Sequence, residues 1–238
     1  MTSTGWRHTS GPAREERDTR TVSGRFGTAD LLDCYRRGVF PMADARDDPR
    51  LFLVDPDRRG VIPLDRFHVP RSLKKIVRAD PFQIRTDSAF TALMDLCAES
   101  APDRPSTWIN APILNLYSAL HREGYAHSLE CWLDGELVGG LYGVSLGGAF
   151  FGESMVSRRP QASKVALVHL VARLIAGGYR LLDTQFLTRH LSQFGAEEIE
   201  RAEFQRRLAH ALDIEADFGP PDVQRTGAEA LQLITQTS

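Results

Sequence analysis

The stretch from Gly147 to Gln185 constrains this chain more than any other. A glycine-rich strand ends in Phe150-Phe151-Gly152-Glu153-Ser154, an apolar helix follows, and a second apolar strand ends in Leu182-Asp183-Thr184-Gln185. Successive residues of a strand face opposite ways, so Asp183 and Gln185 point to one side and Leu182 and Thr184 to the other. A strand this apolar holds a carboxylate and an amide side by side only if something satisfies them. A substrate is one such thing.

Composition bounds the alternatives. At 238 residues the chain suits one large domain or two small ones. A formal net charge of −2 argues against a broadly basic nucleic-acid coat protein, though it leaves room for a local basic patch. The longest apolar segment, Val165–Ala176, contains His169 and Arg173 and is too short to span a bilayer. The first twenty residues lack the apolar centre of a secretory signal. Cys34, Cys97 and Cys131 are far apart and odd in number, which fits reduced thiols in a cytoplasm. No cysteine or histidine pair has metal-ligand spacing, so no structural metal is expected.

Residues 1–24 are polar and are expected to form a disordered leader. A small N-terminal α/β domain is expected over 25–66. Within it Asp30–Arg37 forms a short amphipathic helix stopped by Gly38, Phe40-Pro41 and Asp55-Pro56 mark turns or edges, and Gly60–Leu64 is a strand closing the unit. Between Arg58 and Arg78 stand seven Lys/Arg residues against the single acid Asp65, whereas 197–229 leans acidic. The near-neutral total therefore conceals a dipolar layout.

The pattern of 67–212 is strand, helix, helix, then sheet. Asp87 or Ser88 caps a helix running to Ala98, and Asn110 caps a second, Ala111–Arg122. His127–Leu133 and Glu136–Ser145 are strands joined by Asp134-Gly135, a strong hairpin signal. Gly148–Gly152 adds a third strand, Ser163–Ala176 a helix, Arg180–Phe186 a fourth strand, and helices near 187–193 and 201–212 end the ordered part. Residues 213–238 are left as a tail. The fold class expected is α/β (α+β): a small N-terminal domain plus a mixed-sheet C-terminal domain whose element order resembles the acetyltransferase-like (GNAT) architecture.

Each candidate group has a chemical and a plainer reading. Asp183 and Gln185 form a site that deprotonates an amine or stabilises charge in acyl transfer, or else Asp183 caps the next helix and Gln185 faces solvent. Glu153 binds a cationic group, or pairs on the surface with Arg158 or Arg159. Leu167, Leu170 and Leu174 make one helix face, ordinarily core. Trp108 packs on the helix it precedes or forms an aromatic platform for a base. Arg71, Lys74 and Lys75 are a solvated surface or a phosphate contact. Lys164 beside Ser163 at a helix start is a second anion candidate. One absence matters: the loop Arg159-Pro160-Gln161-Ala162-Ser163-Lys164 has no glycine, and Pro160 removes an N–H donor. That weakens the alternative of a CoA-dependent N-acetyltransferase of this architecture.

Taken together, the motifs resemble one family. They are Tyr35-Arg36-Arg37-Gly38-Val39-Phe40-Pro41, Asp55-Pro56, His68-x-x-Arg71-Ser72, Thr107-Trp108-Ile109, Gly124-x-Ala126-His127-Ser128-x-Glu130, Leu137-Val138-Gly139-Gly140-x-Tyr142-Gly143, Gly152-Glu153-Ser154-Met155, Ala162-Ser163-Lys164 and Asp183-x-Gln185. In this order and spacing, from about Gly27 to about His210, they resemble the leucyl/phenylalanyl-tRNA–protein transferases. The resemblance implies transfer of Leu or Phe from an aminoacyl-tRNA to the α-amino group of proteins beginning with Arg or Lys, marking them for cytoplasmic degradation. It implies no metal, no CoA and no membrane.

The resemblance also implies roles. Asp183 and Gln185 match residues that orient and activate the attacking amine, with Glu153 the acid beside them. Leu141, Phe150, Leu167, Leu170, Leu174 and Leu182 match an apolar slot for the amino-acid side chain, which would discriminate only weakly among apolar shapes. Trp108 and Met42 match positions near the terminal adenosine, and Arg71, Lys74, Lys75 and Lys164 the tRNA-facing side. The chain departs from the family pattern at Met42, where members have Trp, and at Leu51-Phe52-Leu53, where they have tryptophans. A monomer is expected, because no long apolar seam is left after core assignment.

Overall fold

The structure, a computed structural model, describes residues 17–21, 26–99, 107–219 and 224–237. Two sheets carry it. In the smaller, β1 (Arg17–Thr21), β3 (Phe52–Pro56) and β2 (Phe40–Met42) lie antiparallel in that order. The larger has seven strands in the order β10 (Glu197–Glu200), β4 (Arg58–Ile62), β9 (Leu181–Gln185), β8 (Ala149–Ser157), β7 (Glu136–Leu146), β6 (Ala126–Leu133), β5 (Gln83–Thr86). Every neighbouring pair is antiparallel except β8 and β9, which the crossover helix α5 (Ala162–Ala176) makes parallel. The mixed sheet expected from the sequence is therefore present, with Asp134 and Gly135 both at positive φ (51° and 79°) in the β6–β7 hairpin.

Period-two alternation splits the sheet into two apolar faces. Leu141, Phe150, Leu182 and Ile62 face a core shared with α5, α2 (Arg71–Arg78) and α8 (Gly227–Thr237). Their neighbours Tyr142, Phe151, Leu181 and Val61 face a second core with α1 (Thr28–Arg36), α3 (Phe90–Ala98), α4 (Ala111–Arg122) and α7 (Arg201–Leu212). The four-residue α6 (Arg189–Ser192) follows β9, capped by the Thr188 hydroxyl on Leu191 N–H.

Several expectations need correction. The strand read as closing the N-terminal unit is β4, and it lies inside the large sheet between β10 and β9. Of the expected leader, residues 17–21 pair with β3 as a strand, while 1–16 and 22–24 fall outside the described residues. The tail is not a tail. Phe218 stacks on Phe150 (5.6 Å) and His127 (4.1 Å), and Arg173 donates to Phe218 O at 2.7 Å. Helix α8 then buries Ala230, Leu231 and Ile234 against the core around α5. This answers a demand already in the sequence, because α5 is apolar on nearly all sides and needs a cover on its outer face. Helix α3 starts at Ala89 rather than at an Asp87 or Ser88 cap, because the Glu130 carboxylate takes the Ala89 N–H (2.8 Å) while Asp87 holds His127 and Ser128.

The dipolar charge layout holds only in part. Strand β10 pairs with β4, so Arg58 meets Glu198 and Glu200 and Arg66 meets Glu197. Arg58 and Arg66 are neutralised at this sheet edge, while the α2 part of the basic run, Arg71, Lys74 and Lys75, is not.

Because α8 covers the core, Leu231→Ala and Ile234→Ala are each expected to destabilise the protein by about 2–5 kcal/mol in urea titrations. Losses under about 0.5 kcal/mol, the range of ordinary surface changes, would show that the helix is not part of the packed structure.

Candidate active site

Strands β8 and β9 pair only from Ala149↔Leu181 to Phe151↔Asp183. Beyond that point they part, and the polar residues singled out in the sequence gather there. Asp183 is completely buried. Its two oxygens accept Arg59 Nε (2.9 Å) and Nη2 (2.6 Å), a bidentate ion pair across the β4–β9 boundary. Arg59 is buried as well, donates from Nη1 to Gly38 O (2.6 Å), and lies between the rings of Phe40 (4.6 Å) and Phe204 (4.5 Å). Gly38, at φ 75°, ends α1, and a Cβ there would meet the Phe204 ring at 2.8 Å, so this approach needs glycine.

Asp183 Oδ1 also accepts the Gln185 N–H at 2.8 Å. That bond holds Gln185 at φ 64°, a left-handed conformation uncommon for a residue with a Cβ. The strand alternation breaks there. Three buried polar atoms just past the parting, Thr184 Oγ1, Gln185 Nε2 and His190 Nε2, have no hydrogen-bond partner among the described residues. Burial holds the His190 ring near pKa 4, with Lys164 adding to the effect, so it is neutral at pH 7.

Glu153 sits on β8 at the register shift between Tyr142 and Gly143, and is 4% exposed. Its Oε1 accepts Tyr35 Oη (2.6 Å) and its Oε2 accepts Tyr117 Oη (3.0 Å), and the two phenols also contact one another. Burial raises the Glu153 carboxyl to about pKa 7. Tyr35, the Gln185 amide and Tyr117 oppose the rise, while Asp183 adds to it. Burial likewise pushes both phenols well above their usual range, followed in each case by the charge of Glu153. The ring of three side chains, four oxygens in all, contains three contacts but only two phenolic protons. A proton on Glu153 supplies the third.

The plainer readings of these residues fall away. Glu153 does not pair with Arg158, which binds Glu99 instead. Asp183 does not cap α6, and Gln185 is 7% exposed rather than solvated. The apolar set expected to line the amino-acid slot lies on the far face of the sheet from the partners of the carboxylates. Leu141, Phe150, Leu167, Leu170, Leu174 and Leu182 are 0–4% exposed and pack on the α5 face. The partners of Asp183 and Glu153 lie on the other face. Met42 and Trp108 are half-buried against that second face.

Arg71 and Lys75 are exposed on α2 and Lys74 is half-buried; among the described residues none of them forms an ion pair. Lys164 is half-buried in the first turn of α5. The amides of that turn are already used: Ala162 N–H bonds Arg159 O (3.2 Å) and Ser163 N–H bonds Ser157 Oγ (2.9 Å). A pyrophosphate would find few free donors there. Among the described residues no three His, Cys, Asp or Glu side chains are grouped as a metal site, and no helix is long and apolar enough to cross a membrane.

Comparison with known proteins decides the family. Residues 61–209 match the family described as leucyl/phenylalanyl-tRNA protein transferase, and residues 24–57 match the N-terminal domain of the same family. The chain belongs to this transferase family. It is an aminoacyltransferase. Relatives named leucyl/phenylalanyl-tRNA–protein transferase include those of Maricaulis maris (63% identical, 90% of this chain and 99% of the relative) and Phenylobacterium zucineum (64%, 90% and 99%). That of Caulobacter vibrioides is 61% identical over 90% of this chain and 98% of its own. A solved structure, L-PGS from Bacillus licheniformis, aligns at 10% identity and a TM-score of 0.35, covering 88% of this chain and 69% of that one.

Sequence reasoning missed Arg59, Tyr35 and Tyr117. Arg59 was counted among surface cations. Its place in a strand beside Gly60-Val61-Ile62 was the available signal that it is buried.

The raised Glu153 pKa has a sign that can be checked. A carboxyl that binds its proton more tightly folded than unfolded loses stability as pH rises; the penalty is absent below about 4.5 and complete above about 7. The difference corresponds to about 3 kcal/mol at about 1.36 kcal/mol per pH unit. Glu153→Gln is expected to melt above wild type at pH 8.5 by about 5 °C or more, with the gap closing toward pH 5. A gap independent of pH would mean that Glu153 does not carry the penalty.

Proposed function

We propose that this chain transfers Leu or Phe from aminoacyl-tRNA to the N-terminal α-amino group of proteins beginning with Arg or Lys, so marking them for degradation. The observation that carries the reading is the meeting of a buried carboxyl, Glu153, and the Gln185 side-chain amide at the parting of β8 and β9. An α-ammonium group is not nucleophilic until it loses a proton, and a carboxyl that titrates near neutrality is matched to that task. Gln185 Nε2, which makes no well-formed hydrogen bond among the described residues, is a donor suited to the oxyanion that forms when an ester carbonyl is attacked. The ester linking an amino acid to a ribose is already activated. Positioning and proton transfer therefore suffice, with no cofactor.

The slot for the amino-acid side chain is assigned to Leu141, Phe150, Leu167, Leu170, Leu174 and Leu182, which carry no polar atoms beyond the backbone and fit apolar residues. Met42 and Trp108 are assigned to the terminal adenosine. Arg71, Lys74 and Lys75 are assigned to backbone phosphates of the tRNA, with Lys164 nearer the reacting end. Three buried free thiols fit a reducing cytoplasm. Tyr125 is the exposed large hydrophobic side chain among the described residues, which favours a monomer.

With Leu-tRNA and a peptide beginning with Arg, the protein is expected to form Leu-peptide, and Phe-tRNA is expected to serve as well. Folded protein that transfers neither residue would exclude the assignment. Lys74→Glu combined with Lys75→Glu is expected to weaken tRNA binding and to flatten the slope of log affinity against log salt by up to about two. An unchanged slope would remove α2 from the interface.

A further inference from the structure

Two carboxylates lie at the parting of β8 and β9, and their surroundings give them different work. Asp183 is held in a bidentate ion pair: Oδ1 accepts Arg59 Nε and the Gln185 backbone N–H, and Oδ2 accepts Arg59 Nη2. Arg59 is itself fixed by Gly38 O and two flanking rings, so the pair has one arrangement. Glu153 has a phenol donating to each oxygen and the Gln185 side-chain amide beside it, but among the described residues no cation pairs with it, so its charge has no fixed positive partner. We propose that Glu153, in its ring with Tyr35 and Tyr117, is the group that takes the proton from the acceptor amine, and that Arg59 is a positioning residue which reserves Asp183 for holding the Gln185 turn. This rests on the transferase reading and names the proton acceptor within it.

The step balances. The α-ammonium of the acceptor gives one proton to the Glu153 carboxylate, and its freed electron pair attacks the ester carbonyl carbon. The new C–N bond leaves two protons on nitrogen. One of these passes to the ribose 3′ oxygen as the C–O bond breaks and that oxygen keeps the bonding pair. Amide and free 3′-hydroxyl result, and the Glu153 proton returns to solvent. While Glu153 carries it, the three contacts of the oxygen ring have their three protons.

The charged and titratable groups facing Glu153 are Tyr35 from α1, Tyr117 from α4 and Asp183 from β9, the last with Arg59 from β4 behind it; Tyr142 from β7 faces Tyr117. None of these phenols titrates near neutrality. A rate limb near pH 7, beyond that of the acceptor amine, therefore reports Glu153.

The test is the pH dependence of kcat for Leu transfer to an Arg-peptide, compared among wild type, Glu153→Gln and the neutral pair Arg59→Met with Asp183→Asn. The pair removes both charges together, so no unpaired buried ion threatens the fold, and thermal melts and tRNA binding verify each variant. Glu153→Gln is expected to lower kcat about 100-fold or more and to lose the limb near pH 7, with KM for Leu-tRNA little changed. The neutral pair is expected to lower kcat through looser positioning of Gln185 and yet to keep the limb. A limb that survives in Glu153→Gln and vanishes in the neutral pair would make Asp183 the acceptor and overturn the proposal. So would a Glu153→Gln variant as fast as wild type. A wild type that transfers nothing would instead sink the transferase reading beneath it.

Discussion

The ion pair between Arg59 and Asp183 is the constraint on which the rest of the site depends. It joins β4 to β9 where the main-chain register between those strands shifts, and it ties both to the end of α1 through Gly38 and to α7 through Phe204. Two charges this deep are costly to bury, and removing one partner of such a pair typically costs about 3–5 kcal/mol because the other is stranded. What the pair secures is geometry. It closes the end of the crossover strand and, through Asp183, sets the left-handed turn that swings Gln185 out of the strand's alternation and alongside Glu153.

Around that fixed point the two faces of the sheet have different characters. One is an apolar core beneath α5, and the other is an apolar core interrupted by Arg59, Tyr35, Tyr117 and the two carboxylates. The β8–β9 pairing ends after Phe151 and Asp183, and the buried polar side chains gather at that end. Burial does the chemical tuning. It lifts Glu153 toward neutral pH, and it keeps the neighbouring phenols protonated so that each has a proton to donate.

Much of this was legible in the sequence, and what was not has physical causes. The hairpin at Asp134-Gly135, the Asn110 cap, which receives Ile113 N–H at 3.0 Å, and the crossover all follow from local rules acting over a few residues. The polar ends of β8 and β9 stood out because polar groups in apolar strands are costly. Their partners did not. Tyr35 lies 118 positions from Glu153, and in DLLDCYRR it reads as one more apolar residue on a helix face. Arg59 reads as part of a basic run, and only the pairing of β4 with β9 shows that its charge is spent inside. The α8 helix is a different case, because its signal was present and was passed over. Thr226 and Glu229 form a capping box in which Thr226 N–H reaches the Glu229 carboxylate at 2.7 Å and Glu229 N–H reaches the Thr226 hydroxyl at 3.3 Å. The Thr-x-x-Glu spacing before Ala230, Leu231 and Ile234 marks a helix start that composition alone obscured.

The most direct measurement is the carboxyl titration of Glu153 itself, followed by ¹³C NMR in protein labelled at glutamate side chains and assigned by loss of the resonance in Glu153→Gln. A midpoint near 7 in the free enzyme, moving downward when a cationic acceptor peptide binds, is the expected result, since a neighbouring positive charge favours the carboxylate. A midpoint near 4, in the ordinary range of exposed glutamates, would mean that the residue is solvated and that the closed ring with Tyr35 and Tyr117 does not exist in solution.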